Sequence, residues 1–136
     1  MRRLLAWLRR FGAPAPLGAR GEAAAARYLR RRGHKVLARG QRNRLGEIDL
    51  ITVDARTVVF VEVKTRTSQE AGHPVEAVDA PKRRRLTRLA SAWLKRHGLL
   101  ASPARFDIVA ITWPEGREAP KIEHFASAFE AEGNDW

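Results

Sequence analysis

Apolar residues recur along the chain with two different periods, and each period predicts a class of secondary structure. A repeat near 3.6 residues predicts helices over 21–33 and 79–98, each with one apolar face. Alternation of apolar and polar residues, or a short aliphatic run, predicts strands. These strands cover 34–38, 47–53, 57–65 and 105–112, with an edge strand at 121–125. The order α-β-β-β-α-β predicts an α/β domain in which helices flank a mixed β-sheet.

The two ends of the chain differ in composition from its middle. We interpret 1–18 as a basic N-terminal extension with a Pro- and Gly-containing linker, and 39–44 as a basic loop. The domain itself is expected over 19–130, followed by an acidic tail at 131–136, with fraying beyond Ala126. The sequence has no cysteine and no apolar run of the ~20 residues that span a bilayer. We therefore expect a soluble cytoplasmic protein without disulfides or thiolate metal sites.

Charge points to the class of partner. The chain has 26 Lys and Arg against 15 Asp and Glu, a net charge of +11. Two stretches, 27–44 and 82–96, contain basic residues and no acidic ones. Such a surface favours nucleic acid as the partner, and we expect DNA rather than RNA because no aromatic ladder is present. The side chains expected to contact phosphates are Arg39, Arg42, Arg44, Arg66, Lys82, Arg83, Arg84, Arg85 and Arg88.

Three charged residues stand among aliphatic neighbours in the predicted strands. Asp49 alternates onto the face of Ile51, and Glu62 and Lys64 share the face of Phe60. A lone ionised carboxylate in such a place costs several kcal/mol, so it normally pairs, binds a metal or is neutralised. One interpretation is a solvated ion pair between Glu62 and Lys64. The other is an oxygen-rich site for Mg²⁺ or Mn²⁺ beside an ammonium group that handles a water nucleophile.

The loop between the second and third strands decides whether these groups meet. A loop of two residues (55–56) or of four (54–57) places Asp49 opposite Glu62 on the same face of the sheet. A loop of three places them on opposite faces unless a bulge intervenes. The four-residue loop is chemically easier, because a two-residue type I′ turn prefers Gly or Asn.

Two further residues allow more than one interpretation. Glu22 lies on the apolar face of the first helix, so it either points toward the sheet or is an N-terminal acid favoured by the helix dipole. Lys82 leans toward the packed face of the second helix or is simply solvated. Asp107 is expected to be a core acid paired with Arg105, and the four histidines are expected on the surface or in loops.

Taken together, several motifs resemble the YraN-like family of small bacterial proteins over about residues 17–130. That family is itself similar to the restriction-endonuclease-like PD-(D/E)XK fold and to archaeal Holliday-junction resolvases. Ile48 precedes Asp49 here, where the PD-(D/E)XK pattern has proline. The motifs are GEAAA at 21–25, GEIDLI at 46–51, FVEVKTR at 60–66, Lys82, and RFDI at 105–108.

The resemblance implies a role for each acidic residue. Asp49 and Glu62 would be metal carboxylates, Glu22 the helix carboxylate and Lys64 the catalytic lysine, with the backbone carbonyl of Val63 completing the set. The implied activity is Mg²⁺- or Mn²⁺-dependent hydrolysis of DNA phosphodiesters, selective for structure rather than sequence. The alternative is a non-catalytic DNA- or RNA-binding module on the same fold. By analogy with resolvase-like folds, a homodimer is expected.

Overall fold

The computed structural model describes residues 17–68, 72–114 and 119–133, so most of the expected N-terminal extension and the end of the acidic tail lie outside the described residues. The described chain forms two helices, one 3₁₀ helix and five strands, in the predicted α-β-β-β-α-β order with the edge strand last. The elements are α1 (Leu17–Arg31), β1 (Lys35–Asn43), β2 (Gly46–Asp54), β3 (Thr57–Arg66), the 3₁₀ helix (Pro74–Ala77), α2 (Ala80–Arg96), β4 (Ala104–Thr112) and β5 (Lys121–Phe129).

All five strands form one mixed sheet in the order β1-β2-β3-β4-β5. The β3–β4 pair is parallel and the other pairs are antiparallel. A parallel pair needs a crossover, and α2 provides it. The mixed α/β class is therefore confirmed. Neither described helix is long and apolar enough to cross a membrane.

The two helices cover opposite faces of the sheet. Leu29 of α1 belongs to one apolar cluster with Val61 and other strand residues. Trp93 of α2 belongs to the second cluster and meets the ring of Phe60 edge-on, with 5.9 Å between centroids. Because Phe60 and Val61 are neighbours in β3, the central strand is buried on both faces. Polar side chains near the end of β3 are thereby held on a rigid element.

Local sequence fixes how each helix meets the sheet. On α1, Gly21 packs so closely against β3 that a Cβ there would collide with the side chain of Thr65. This close approach brings the first turns of α1 to the end of the sheet. On α2, the carboxylate of Asp79 accepts a hydrogen bond from the Lys82 N–H at 3.0 Å, which caps the helix. Lys82 is thereby placed in the first turn of α2.

Both edge strands are longer than the sequence indicates. The predicted loop at 39–44 is wrong over most of its length, because β1 continues to Asn43 and pairs Arg39 with Leu50 and Arg42 with Glu47. Backbone pairing with β2 stabilises this segment although its side chains are polar. The expected fraying beyond Ala126 is also wrong as far as Phe129, whose ring stacks on Phe106 with 4.8 Å between centroids.

The surface location expected for the histidines is wrong for His34, which is 6% exposed. Its ring shares a hydrogen bond of 2.8 Å with the hydroxyl of Thr52. His124 lies near it, with Nε2 2.7 Å from a carboxylate oxygen of Asp107. The expected pairing of Asp107 with Arg105 is confirmed at 3.0 Å. Burial opposes ionisation of Asp107, but the hydrogen bonds from His124 and Arg105 outweigh it and lower the Asp107 pKa.

Candidate active site

The hairpin between β2 and β3 sets the relation between the two key strands. Asp54 pairs with Thr57, so the loop has two residues rather than the favoured four, and Ala55 adopts a positive φ of 55° to close it. The paired register runs back only to Leu50 and Val61. Beyond that pair, the carboxylate of Asp49 accepts a hydrogen bond from the backbone N–H of Val63 at 2.8 Å. Asp49 therefore lies where the two strands separate.

Three carboxylates meet at this end of the sheet. Glu22 from α1 and Glu47 and Asp49 from β2 each have an oxygen within 4.8 Å of the others. Glu22 thus points toward the sheet, which was one of its two open interpretations. Glu47 does not stand out in the sequence, because an acid at the start of a strand resembles an ordinary solvated residue. Its spacing of two from Asp49 is the signal that could have identified it.

Negative charge predominates around Asp49. Burial raises the pKa of Asp49 to about 7, and the negative charges of Glu62 and Glu22 contribute to the rise. The hydrogen bond from Val63 works in the opposite direction. A cation among these oxygens would relieve the repulsion, and carboxylate oxygens are the ligands that Mg²⁺ and Mn²⁺ prefer. The donor set therefore fits a hard divalent ion.

Glu62 is held by two ammonium groups on the α2 side of β3. Its side chain is only 10% exposed, and its Oε1 lies 2.8 Å from Nζ of Lys82 and 3.8 Å from Nζ of Lys64. Burial lowers the pKa of Lys64, and the neighbouring ammonium of Lys82 lowers it further. Burial also opposes the charge of Lys82, but the hydrogen bond to Glu62 outweighs it and raises the Lys82 pKa. The structure thus brings Glu62 and Lys64 together, as predicted, and adds Lys82.

Most of the predicted phosphate-binding residues are exposed around this end of the sheet. The aliphatic stem of Arg85 packs near Gly46, so α2 adjoins the turn between β1 and β2. The two basic segments of the sequence therefore form one surface, which we call the basic rim. Its exposed members are Arg39, Arg42, Arg44, Arg84, Arg85 and Arg88. Of these, Arg42 also donates a hydrogen bond to the carboxylate of Glu47 at 2.9 Å.

Two other predicted phosphate ligands direct their donors to the protein itself. Arg66 donates to the carbonyl of Gly72 at 2.6 Å and to the hydroxyl of Thr112 at 3.3 Å. Arg83 donates to the carbonyl of Val78 at 2.8 Å. In this arrangement both arginines hold loops and helix ends in place, and neither belongs to the basic rim.

Comparison with known proteins identifies relatives of this chain. A family model described as "Uncharacterised protein family UPF0102" matches residues 21–111, which include every acidic and lysine residue of the candidate site. A UPF0102 protein of Rhodopirellula baltica is 49% identical over 124 residues, covering 89% of this chain and 74% of the relative. UPF0102 proteins of Anaeromyxobacter dehalogenans and Geobacter sulfurreducens are 45% and 47% identical, covering 86% and 84% of this chain and 86% and 88% of the relatives.

The family model covers well over half of the chain, from within α1 to within β4. These matches confirm the resemblance to YraN-like proteins that the motifs indicate. The chain belongs to the uncharacterised protein family UPF0102.

Proposed function

We propose that this protein is a metal-dependent endonuclease with a restriction-endonuclease-like fold, which hydrolyses DNA phosphodiesters with structure rather than sequence selectivity. One observation carries the proposal. The carboxylates of Glu22, Glu47 and Asp49 gather at one end of the sheet. The charge of Glu62 acts on Asp49, and Glu62 in turn has the Lys64 ammonium at 3.8 Å. A surface ion pair would explain Glu62 and Lys64 alone. It would not explain the additional convergence of Glu22, Glu47 and Asp49.

The residues available to hold Mg²⁺ or Mn²⁺ are Asp49, Glu62 and the carbonyl of Val63, with Glu22 supporting the same site. Glu47 adds a further carboxylate to this set. When bound, such an ion would withdraw charge from the scissile phosphate and make a water molecule more acidic. The carboxylates themselves do the positioning, because each is fixed on a helix or strand rather than on a loop.

In this proposal Lys64 is the catalytic lysine. Its side chain is 30% exposed, so the ammonium can reach both the buried carboxylate and a substrate at the surface. There it would orient the attacking water and offset negative charge that develops on the pentavalent phosphorus. Loss of one such group typically slows an enzyme by about 100-fold or more.

The basic rim would bind the sugar-phosphate backbone on the side of the site formed by α2 and the β1–β2 turn. Arginine contacts to phosphates fix the position of a duplex without reading its bases. Selectivity for branched or flapped structures is therefore favoured over sequence recognition.

We also propose that the protein is cytoplasmic. We propose further that it forms a homodimer, since cutting two strands needs two such sites. The mass in solution tests the dimer.

The alternative is a nucleic-acid-binding module of the same fold that performs no hydrolysis, on DNA or RNA. The ion pair between Lys82 and Glu62, at 2.8 Å, favours it, because this contact satisfies a buried carboxylate without any metal.

A nicking assay distinguishes the two functions. Branched, flapped and linear DNA are incubated with the wild type in Mg²⁺ or Mn²⁺, in parallel with Lys64→Ala, Asp49→Ala and the control Lys95→Ala. Lys95 is exposed in the last turn of α2, remote in sequence from the site residues. We expect cleavage by the wild type and by the control, and loss of cleavage with retained binding in the two site variants. Binding of every substrate by the wild type without any cleavage would support the module instead.

A further inference from the structure

Lys82 has no role in the hydrolysis proposed above, yet it makes the shorter of the two ammonium contacts to Glu62. Its Nζ lies 2.8 Å from Oε1, whereas Nζ of Lys64 lies 3.8 Å from the same atom. All three side chains are largely buried, with exposures of 26%, 30% and 10% for Lys82, Lys64 and Glu62. One carboxylate oxygen is thus shared by two cations.

A divalent ion that binds Glu62 would have to compete with the two lysine ammonium groups for its carboxylate. Oε1 would have to exchange the Lys82 ammonium for the ion, and an ion beside both lysines would be repelled by two positive charges at short range. The three carboxylates from α1 and β2, in contrast, have one ion pair among the described residues, between Glu47 and the exposed Arg42 at 2.9 Å. The two halves of the site therefore differ, since one is rich in negative charge and the other is already neutralised.

The Lys82 side chain can move away from Glu62 while the Lys82 backbone stays fixed in α2. The backbone N–H is fixed by the Asp79 cap at 3.0 Å, in the first turn of α2. The side chain has four rotatable bonds and ends in a compact ammonium without a fixed donor geometry. Arg84 and Arg85 of the basic rim follow two and three positions later and are exposed. A phosphate bound at this end of α2 would therefore offer the ammonium a second partner close by.

We infer that Lys82 is a positioning residue, the counter-ion of Glu62 while no nucleic acid is bound. When nucleic acid binds, the Lys82 ammonium leaves Glu62 and pairs with a phosphate, so that Glu62 becomes available to the metal. This rests on the proposed function, because it concerns the same site. Its consequence is thermodynamic. Metal and nucleic acid must each tighten the binding of the other, and removal of the Lys82 charge must weaken that coupling.

The experiment measures Mn²⁺ affinity by paramagnetic resonance, first without DNA and then with a short branched duplex that carries nuclease-resistant phosphorothioate linkages. The chains compared are the wild type, Lys82→Gln, Lys82→Met, Lys82→Arg and the control Lys95→Gln. Lys82→Met keeps the aliphatic stem, which protects the interpretation if Lys82→Gln folds poorly. Urea unfolding verifies that each variant is folded.

We expect Lys82→Gln and Lys82→Met to bind Mn²⁺ about tenfold more tightly than the wild type without DNA, and to gain little when DNA is added. The wild type, Lys82→Arg and Lys95→Gln should bind weakly alone and tighten about tenfold with DNA. Equal or weaker Mn²⁺ binding by both neutral Lys82 variants, compared with the wild type, would overturn this inference alone. Absence of Mn²⁺ binding by every chain, with and without DNA, would overturn the proposed metal site as well.

Discussion

At the scale of single residues, His34 makes the free energy of unfolding depend on pH. It lies at the end of the sheet away from the candidate active site. Burial lowers the pKa of His34 from its ordinary value of 6.5, although the carboxylate of Asp54 acts against burial. The unfolded chain therefore takes up this proton at a higher pH than the folded one. Stability must fall as the pH drops below 6.5, because the unfolded state then binds more protons.

We predict that His34→Gln, whose amide can keep the hydrogen bond to Thr52, makes unfolding less dependent on pH. Between about pH 7.5 and about pH 5, the wild type should lose more free energy of unfolding than the variant. Urea titrations across this range measure the difference. His97→Gln, at an exposed position, should follow the wild type. Parallel pH curves for the wild type and His34→Gln would show that His34 does not titrate in this way.

Several residues of the site are visible in the sequence, and the reason is physical. Asp49, Glu62 and Lys64 stand out because charges inside aliphatic strands need a partner. The spacing of Glu47 from Asp49 indicates a shared face of the strand, but only the approach of α1 to β2 shows that the Glu47 carboxylate lies near Glu22. The contact of Lys82 with Glu62 is equally hidden, because it joins residues 20 positions apart.

At the scale of elements, the seam between α1 and β3 positions the helix carboxylate. Gly21 lies against Thr65, with no room for a Cβ, and Glu22 follows in the next position. We predict that Gly21→Ala pushes α1 away from the sheet, lowers the free energy of unfolding by about 1–3 kcal/mol and weakens Mn²⁺ binding. Urea unfolding and Mn²⁺ titration measure the two effects.

The same helix supplies a matched control for this prediction. Gly18 also lies in α1, but nothing stands within 4 Å of a Cβ placed there. Gly18→Ala should leave both properties unchanged or slightly raise stability. Thr65→Ala combined with Gly21→Ala should recover part of the loss, because it removes the hydroxyl oxygen that would lie closest to the new Cβ. Equal effects of the two glycine substitutions would exclude a steric role for the seam.

Elements with their own periodicity could be predicted, and elements defined by pairing could not. The apolar stripe of α2 and the aliphatic run of β3 correspond closely to the structure. The second half of β1 carries Gln41, Arg42 and Asn43, and only its ladder with β2 makes it a strand. A two-residue turn without Gly or Asn is chemically unfavourable, because its residues must adopt positive φ angles. Pairing of β2 with β3 nevertheless imposes a positive φ on Ala55.

At the scale of the whole molecule, the basic residues behind the net charge of +11 lie at more than one place on the surface. The basic rim lies at the end of the sheet with the candidate site, whereas Arg27 and Arg31 lie on the outer side of α1 and are also exposed. Removing the same number of charges from either place changes the net charge equally. The position of the removed charge is then the only difference between the variants.

We predict that Arg85→Gln with Arg88→Gln weakens DNA binding and lowers the slope of log affinity against log salt by about 0.9 for each phosphate that the protein no longer neutralises. Arg27→Gln with Arg31→Gln should change both quantities much less. Fluorescence anisotropy with a labelled branched duplex at several salt concentrations gives affinity and slope together. If both pairs of substitutions reduce the slope equally, binding depends on net charge and not on the rim.

The candidate metal site is tested most simply by a Mn²⁺ titration of the wild type and Asp49→Asn in the absence of nucleic acid. Asparagine keeps the size of the side chain and can still accept the hydrogen bond from Val63, but it removes the charge. We predict that the wild type binds Mn²⁺ and that Asp49→Asn does not, while its free energy of unfolding near pH 8 is equal or higher because a buried, repelled carboxylate has been removed. A folded Asp49→Asn variant that binds Mn²⁺ as tightly as the wild type would contradict the assignment of a metal to these carboxylates.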